Sequence, residues 1–149
     1  MIAMKVLAKN RRANFDYSIT DHMVAGLVLS GDEVKSIKAG AASLKGSFIA
    51  LRENEAFLTN AHITPYAHAN AKASIEPTRS RKLLLHRKQL DELITLKQSG
   101  LSVVPTALLS DRRLVKLEIG IGRGKKRYDK RETLKRRQTM RDIARQVKR

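Results

Sequence analysis

Cysteine is absent from the 149 residues, which excludes disulfides, thiolate nucleophiles and cysteine-ligated zinc together. Tryptophan is absent too, and three Phe and three Tyr are the whole aromatic supply. So small a supply argues against a binder that stacks successive single-stranded bases on side-chain rings. No run approaches the roughly 18 apolar residues needed to cross a bilayer. The opening MIAMKVLAKNRRANF has neither an apolar h-region nor a small-residue cleavage site, so no secretory signal is expected. Acidic residues are also scarce, 14 against 31 Lys and Arg, which leaves a net charge of +17. A surplus of that size implies an anionic partner. With no membrane segment in view, phosphate-bearing RNA or DNA in the cytoplasm is expected, rather than a membrane.

Catalytic constellations are missing as well. His22, His62, His68 and His86 have neither i, i+4 pairing nor carboxylates at ligand spacing, so no metal is expected. The run GIGRGKK fails the P-loop pattern, and a cationic stretch follows where a dinucleotide-binding helix would start. Its composition predicts a flexible joint. No serine stands in a nucleophile elbow, and Asp32-Glu33 and Asp91-Glu92 are accounted for by helix starts. The expectation is a protein that is not an enzyme and uses no cofactor.

What is present reads as a mainly β body with helices. FDYSI alternates as a half-buried strand, and MVAGLVLS is a second, where Gly26 marks a bulge or a close approach. In SGDEVKSIKAG, Ser30 and Glu33 have capping-box spacing, Val34 and Ile37 make an apolar face, and Gly40 ends a short helix. SFIALRENEAFLTNAHI predicts a hairpin turned at Glu53-Asn54. Residues 65–80 have no periodicity and predict a long exposed loop. HRKQLDELITLKQSG predicts a helix with Leu90, Leu93 and Ile94 inward. LSVVPTALL and RLVKLEIGI then form a hairpin about SDRR, in which Lys116 projects outward. About six short strands with two inserted helices favour a small antiparallel OB-like barrel, closed or nearly so.

Positive charge is concentrated in the body at Lys9 to Arg12, at Lys35, Lys38 and Lys45, and at Arg79 to Lys82. With Lys116 these could form a continuous phosphate-binding surface, suited to a structured RNA read by shape. Residues 123–149 carry 13 basic and 3 acidic residues, against 18 and 11 in residues 1–122. The division expected is an RNA-binding body, 1–122, and a basic tail, 123–149. The tail has too few apolar groups to repay ordering and repels itself, so disorder is expected when it is free. Met140, Ile143 and Val147 nevertheless recur at helical spacing, with Arg137, Arg141 and Arg145 on another side, which predicts a helix on an anionic partner.

The segments NRRANFDY, AGLVLSGDEVKSIKAG, ITPY, PTRSRKLLLH and GKKRYDKRETLKRR, in this order, resemble the SsrA-binding protein (small protein B) family. The resemblance runs from about Asn10 to at least Arg137. It implies an OB-like body that grips the tRNA-like domain of transfer-messenger RNA. It also implies a tail that enters the decoding centre and vacant message channel of the small ribosomal subunit during trans-translation. By position, Asn10, Arg11, Glu33, Lys35, Leu84 and Lys116 fall on the family's RNA-facing residues, with Arg12, Lys38 and Lys45 beside them. Gly124, Lys125, Lys126, Asp129, Lys130 and Arg131 fall on its ribosome-binding tail motif. Val24 stands where the family usually has a carboxylate. The expected partners are therefore transfer-messenger RNA and the ribosome, bound by a monomer. The alternative is a ribosomal or ribosome-assembly protein that threads ribosomal RNA with its tail.

Overall fold

The computed structural model describes residues 4–65, 76–125 and 127–147, the side chains of 127–129 and 146–147 excepted. In chain order the elements are β1 (Lys5–Lys9), α1 (Arg11–Asp16), β2 (Tyr17–Leu27), α2 (Gly31–Lys38), β3 (Ala42–Ser43), β4 (Phe48–Arg52) and β5 (Glu55–Thr59). They continue with β6 (His62–Ile63), β7 (Arg81–Leu84), α3 (Arg87–Gln98), β8 (Ser102–Asp111), β9 (Leu114–Gly124) and α4 (Arg127–Val147). Seven strands make one antiparallel sheet in the order β1-β8-β9-β2-β7-β5-β4, and β3 pairs with β6. No helix among the described residues is long and apolar enough to cross a membrane.

The mainly β expectation holds, but closure into an OB-like barrel does not. The sheet ends at β1 and β4, with no ladder joining them. It coils, helped by bulges between Ile19 and Asp21 and between Pro105 and Ala107, so that β4 comes near β8. At the other end β1 packs against α2 and β3. The bulge on β8 also accommodates Pro105, which has no N–H to give to a ladder.

Local rules account for the elements that were foreseen. Ser30 and Glu33 form the capping box of α2, and Gly40, at φ +83°, follows its end in the left-handed region. Glu53 and Asn54 both have positive φ, as the two-residue β4–β5 turn requires. Leu90 and Leu93 of α3 are buried, together with Val115, Leu117, Ile119 and Ile121 of β9.

Several elements differ from expectation. The strand read from Phe15 is the end of an additional helix, α1, and the two strands read over FDYSI and MVAGLVLS are one continuous strand, β2, which starts at Tyr17. Strand β1 had no clear alternation to announce it; its residues are exposed or half-buried at an edge. The glycine run after Ile119 is strand and not a joint. A Cβ on Gly120 would lie 2.6 Å from Thr106 Cγ2, and one on Gly122 would lie 2.1 Å from Ser18 O. These glycines permit close approach of neighbouring strands, which local composition cannot distinguish from flexibility. Of the expected loop 65–80, residues 66–75 lie outside the described residues, as does His68.

Candidate nucleic-acid interface

On the outer face of the sheet, Lys116 of β9 is in register with Gly26 of β2, and Gly26 with Leu84 of β7. Alternation turns Leu117 and Leu83 inward and leaves Lys116 and Leu84 outward. A Cβ at Gly26 would lie 3.1 Å from Leu84 Cβ, a tight contact that Leu84 would have to shift to relieve. Leu84 is 53% exposed, unusual for a leucine on a strand between two others. Around this row lies a groove of about 660 Å³, lined in part by Val24, Leu85, His86 and Arg87. Lys116 Nζ is held 3.1 Å from Asp111 Oδ2, and Lys82 Nζ 3.2 Å from Glu55 Oε1. Val24 is paired in register with Glu118 on β9, whose Oε1 accepts from Thr106 Oγ1 at 2.9 Å. An apolar ledge with lysines on its rim has the chemistry to take a nucleotide, the ledge offering a surface to sugar or base and Lys116 a charge to phosphate.

A second cluster joins the body to α4. Asp16, at the end of α1, receives Arg12 Nε at 3.1 Å and lies 3.2 Å from Lys130 Nζ of α4. The Lys130 contact is an ion pair with no well-aligned hydrogen bond to Oδ1. Beside it the Phe15 ring faces three cations, with Arg12 at 4.9 Å, Arg137 at 5.8 Å and Lys130 at 5.9 Å from its centroid. The Lys125 N–H donates to Asp16 O at 2.8 Å, and Lys125 Nζ to Thr133 Oγ1 at 2.9 Å. Burial pushes the Asp16 carboxyl up, but Lys130 and Arg12 outweigh it and hold it below its ordinary value.

The third cluster is internal. Glu33 is 5% exposed and Arg81 1%. Glu33 Oε1 accepts from the Ser30 N–H at 3.0 Å and from Arg79 Nη2, while Oε2 accepts from Arg81 Nε at 2.7 Å. Burial pushes the Glu33 carboxyl up, and these three donors more than reverse it, leaving it below its ordinary value. Burial likewise lowers the Arg81 guanidinium, partly offset by Glu33.

The family model described as SmpB protein matches residues 7–149. The chain belongs to the SmpB family. An SsrA-binding protein of Synechococcus sp. (strain JA-2-3B'a(2-13)) is 48% identical over 146 residues, covering 97% of this chain and 95% of that protein. One from Bacillus pumilus (strain SAFR-032) is 49% identical over 142 residues, covering 95% and 90%. Among solved structures, a chain described as tmRNA-SmpB on a journey to the center of the bacterial ribosome is 39% identical. It aligns with a TM-score of 0.66 over 85% of this chain and 92% of its own.

The SmpB-type residues named from sequence fall into separate places. Leu84 and Lys116 share the groove. Lys38 Nζ donates to Arg112 O at 3.3 Å, next to the turn that holds Lys116 through Asp111. Lys35 is exposed on α2, and Lys45 is exposed between β3 and β4. Asn10 precedes α1 and donates through Nδ2 to Pro105 O at 2.8 Å, while Arg11 and Arg12 are exposed. Glu33 is inside, with both oxygens taken up. Gly124 closes β9 opposite Tyr17, and Lys130 and Arg131 lie in the first turns of α4. Lys126 is outside the described residues, and Asp129 is described by its backbone alone.

Sequence reasoning missed Phe15, Asp16 and the interior place of Arg81. The last was within reach. If Lys82 and Leu84 point out, Arg81 and Leu83 must point in. Assigning Arg79 to Lys82 as one solvent-facing cluster overlooked that period.

Proposed function

We propose that this chain is a non-enzymatic, monomeric RNA-binding adaptor. It binds the tRNA-like domain of transfer-messenger RNA through its body and brings that RNA to stalled ribosomes for trans-translation. Among the geometric features, the cross-strand row Lys116, Gly26 and Leu84 carries this reading, because it offers one cation and one apolar ledge to a nucleotide along a continuous outer face. The SmpB relatives, named SsrA-binding proteins and alike over nearly the whole chain, support the choice of RNA. The test is to sequence the RNA that co-purifies with the protein. A single small transfer-like species supports the reading; ribosomal RNA in its place would favour an assembly protein.

Within this reading the body, and not the tail, selects the RNA. A chain ended after Lys125, which leaves β9 whole, retains selective binding at physiological salt. The far part of α4, beyond its contacts with Asp16 and Phe15 and with Met140 and Ile143 exposed, becomes stably helical only against the decoding centre and message channel, because an unsupported helix of this charge is marginal in water. Replacing Asp129, Lys130 and Arg131 together with Ala leaves RNA binding intact and abolishes tagging on stalled ribosomes. Loss of RNA selection in that triple variant would move the recognition surface onto the tail.

A further inference from the structure

Strand β7 carries Leu84 yet has little ladder of its own. Gly26–Leu84 and Leu27–Leu83 register it on β2, with one further bond from the Val28 N–H to Lys82 O at 3.0 Å, and Phe57–Lys82 and Leu58–Arg81 register it on β5. It is also entered directly from residues 76–80, which form a turn and not a regular element. Four residues shared between two neighbours make a short ladder, and a shift by one residue would turn Leu84 inward and Leu83 outward.

The buried guanidinium supplies what the ladder lacks. Besides Glu33, Arg81 donates through Nη1 to Ala61 O at 2.8 Å and to Arg79 O at 3.1 Å, and through Nη2 to Pro77 O at 2.9 Å. Pro77 O accepts in addition from the Ile63 N–H at 3.0 Å. One planar fork therefore fixes the segment entering β7, the β5–β6 connection and the start of α2 relative to each other. Glu33 orients the fork, and it is itself held by the Ser30 N–H in the α2 capping box. A buried ion pair is weak as a source of stability, since well-packed apolar residues often serve as well. Its fixed geometry is harder to replace.

We propose that Glu33 and Arg81 are positioning residues for RNA binding: they pin β7 so that Leu84 faces the groove beside Lys116, and Glu33 does not itself touch the RNA. This rests on the reading that the groove binds transfer-messenger RNA.

The test is a double-mutant cycle on the full chain, with the tRNA-like domain of transfer-messenger RNA as the probe. Affinity is measured for the native protein, Glu33→Gln, Leu84→Ala and the double variant, at a temperature where circular dichroism shows all four folded. Amide exchange at residues 82–84 is measured on the free proteins. Glu33→Gln should lower affinity roughly tenfold, the scale set by losing a charge-assisted hydrogen bond, and should speed exchange in β7. Leu84→Ala should then cost little more in that background, because the leucine is already misplaced. Where Glu33→Gln does not fold, Arg79→Gln tests the same cluster from its half-exposed side, with the same direction expected and a smaller size. Additive losses of affinity with unchanged β7 exchange would make Glu33 a direct contact and overturn the proposal, and so would unchanged affinity despite faster exchange. A native chain that fails to select the RNA overturns the functional reading itself, a different result from a native chain that binds and variants that do not respond.

Discussion

Asp16 and Glu33 each gather two cations, and the two sites behave as different materials. Glu33 has a side chain 6% exposed and an Arg81 partner at 0%, whereas Asp16 is 25% exposed and its Lys130 partner 35%. In the interior, weak screening strengthens each contact and makes an unpaired charge costly, so Glu33 and Arg81 form a fixed joint, which Arg79 joins from its half-exposed side. At the surface, water and salt compete for the same charges. Lys130 can therefore leave Asp16 for a phosphate at small cost. The body of the molecule is tied by the first kind of contact, and α4 by the second.

The sharpest way to break this contrast is to remove each acid. Glu33→Gln should destabilise the fold by about 3–5 kcal/mol, because it leaves the buried Arg81 charge uncompensated. Urea unfolding monitored by circular dichroism gives the value, and a loss below about 1 kcal/mol would put the two clusters in one class.

Acid gives a smaller effect with a definite sign. Both carboxyls are held below their ordinary values, 4.5 for Glu33 and 3.8 for Asp16. Each stabilising contribution is thus fully present above the ordinary value and is lost as pH falls through the lower, folded one. Unfolding free energy followed from neutral pH downward should start to fall below 4.5. In the Glu33→Gln protein that decline should be shallower.

Asp16→Asn should cost the body only ~0–1 kcal/mol. Amide exchange across 130–137 should nevertheless rise, since Lys130 loses its anchor while the Phe15 contacts remain. Unchanged exchange there would mean that the ring alone holds the helix.

Salt is the mildest probe. At 1 M the screening length is about 3 Å, short enough to weaken the Asp16 pairs and leave the Glu33 cluster intact. Proton shifts of the Phe15 ring should move toward those of an unpaired phenylalanine, while the Arg81 Nε proton stays in slow exchange.

Much of this was legible from local pattern. Helix α2 has its capping box in the letters, α3 its apolar period, and the β4–β5 and β8–β9 hairpins their turn residues. In the site, alternation alone turned Lys116 outward. What stayed hidden has one physical character. Phe15 and Asp16 continue an alternating pattern into Tyr17, so the end of α1 reads as strand, and only the packing of β2 on β9 and the α1–α4 contact separates them. Gly120 and Gly122 read as a joint, because the Thr106 and Ser18 atoms they make room for come from strands far away in the chain.

By itself, the sequence determined that this protein is a polycation with a folded body, no thiol chemistry and a basic tail; composition and near-neighbour spacing suffice for that. Alternation could turn Lys116 outward, but tertiary structure decided which of two neighbouring cations is displayed. Arg81 and Lys82 are adjacent in the chain, yet one is in the core and the other on the rim of the groove. Strand alternation separates them, and the register of β7 on β2 and β5 says which goes where. That register is set by contacts between segments far apart in sequence, which no local pattern encodes.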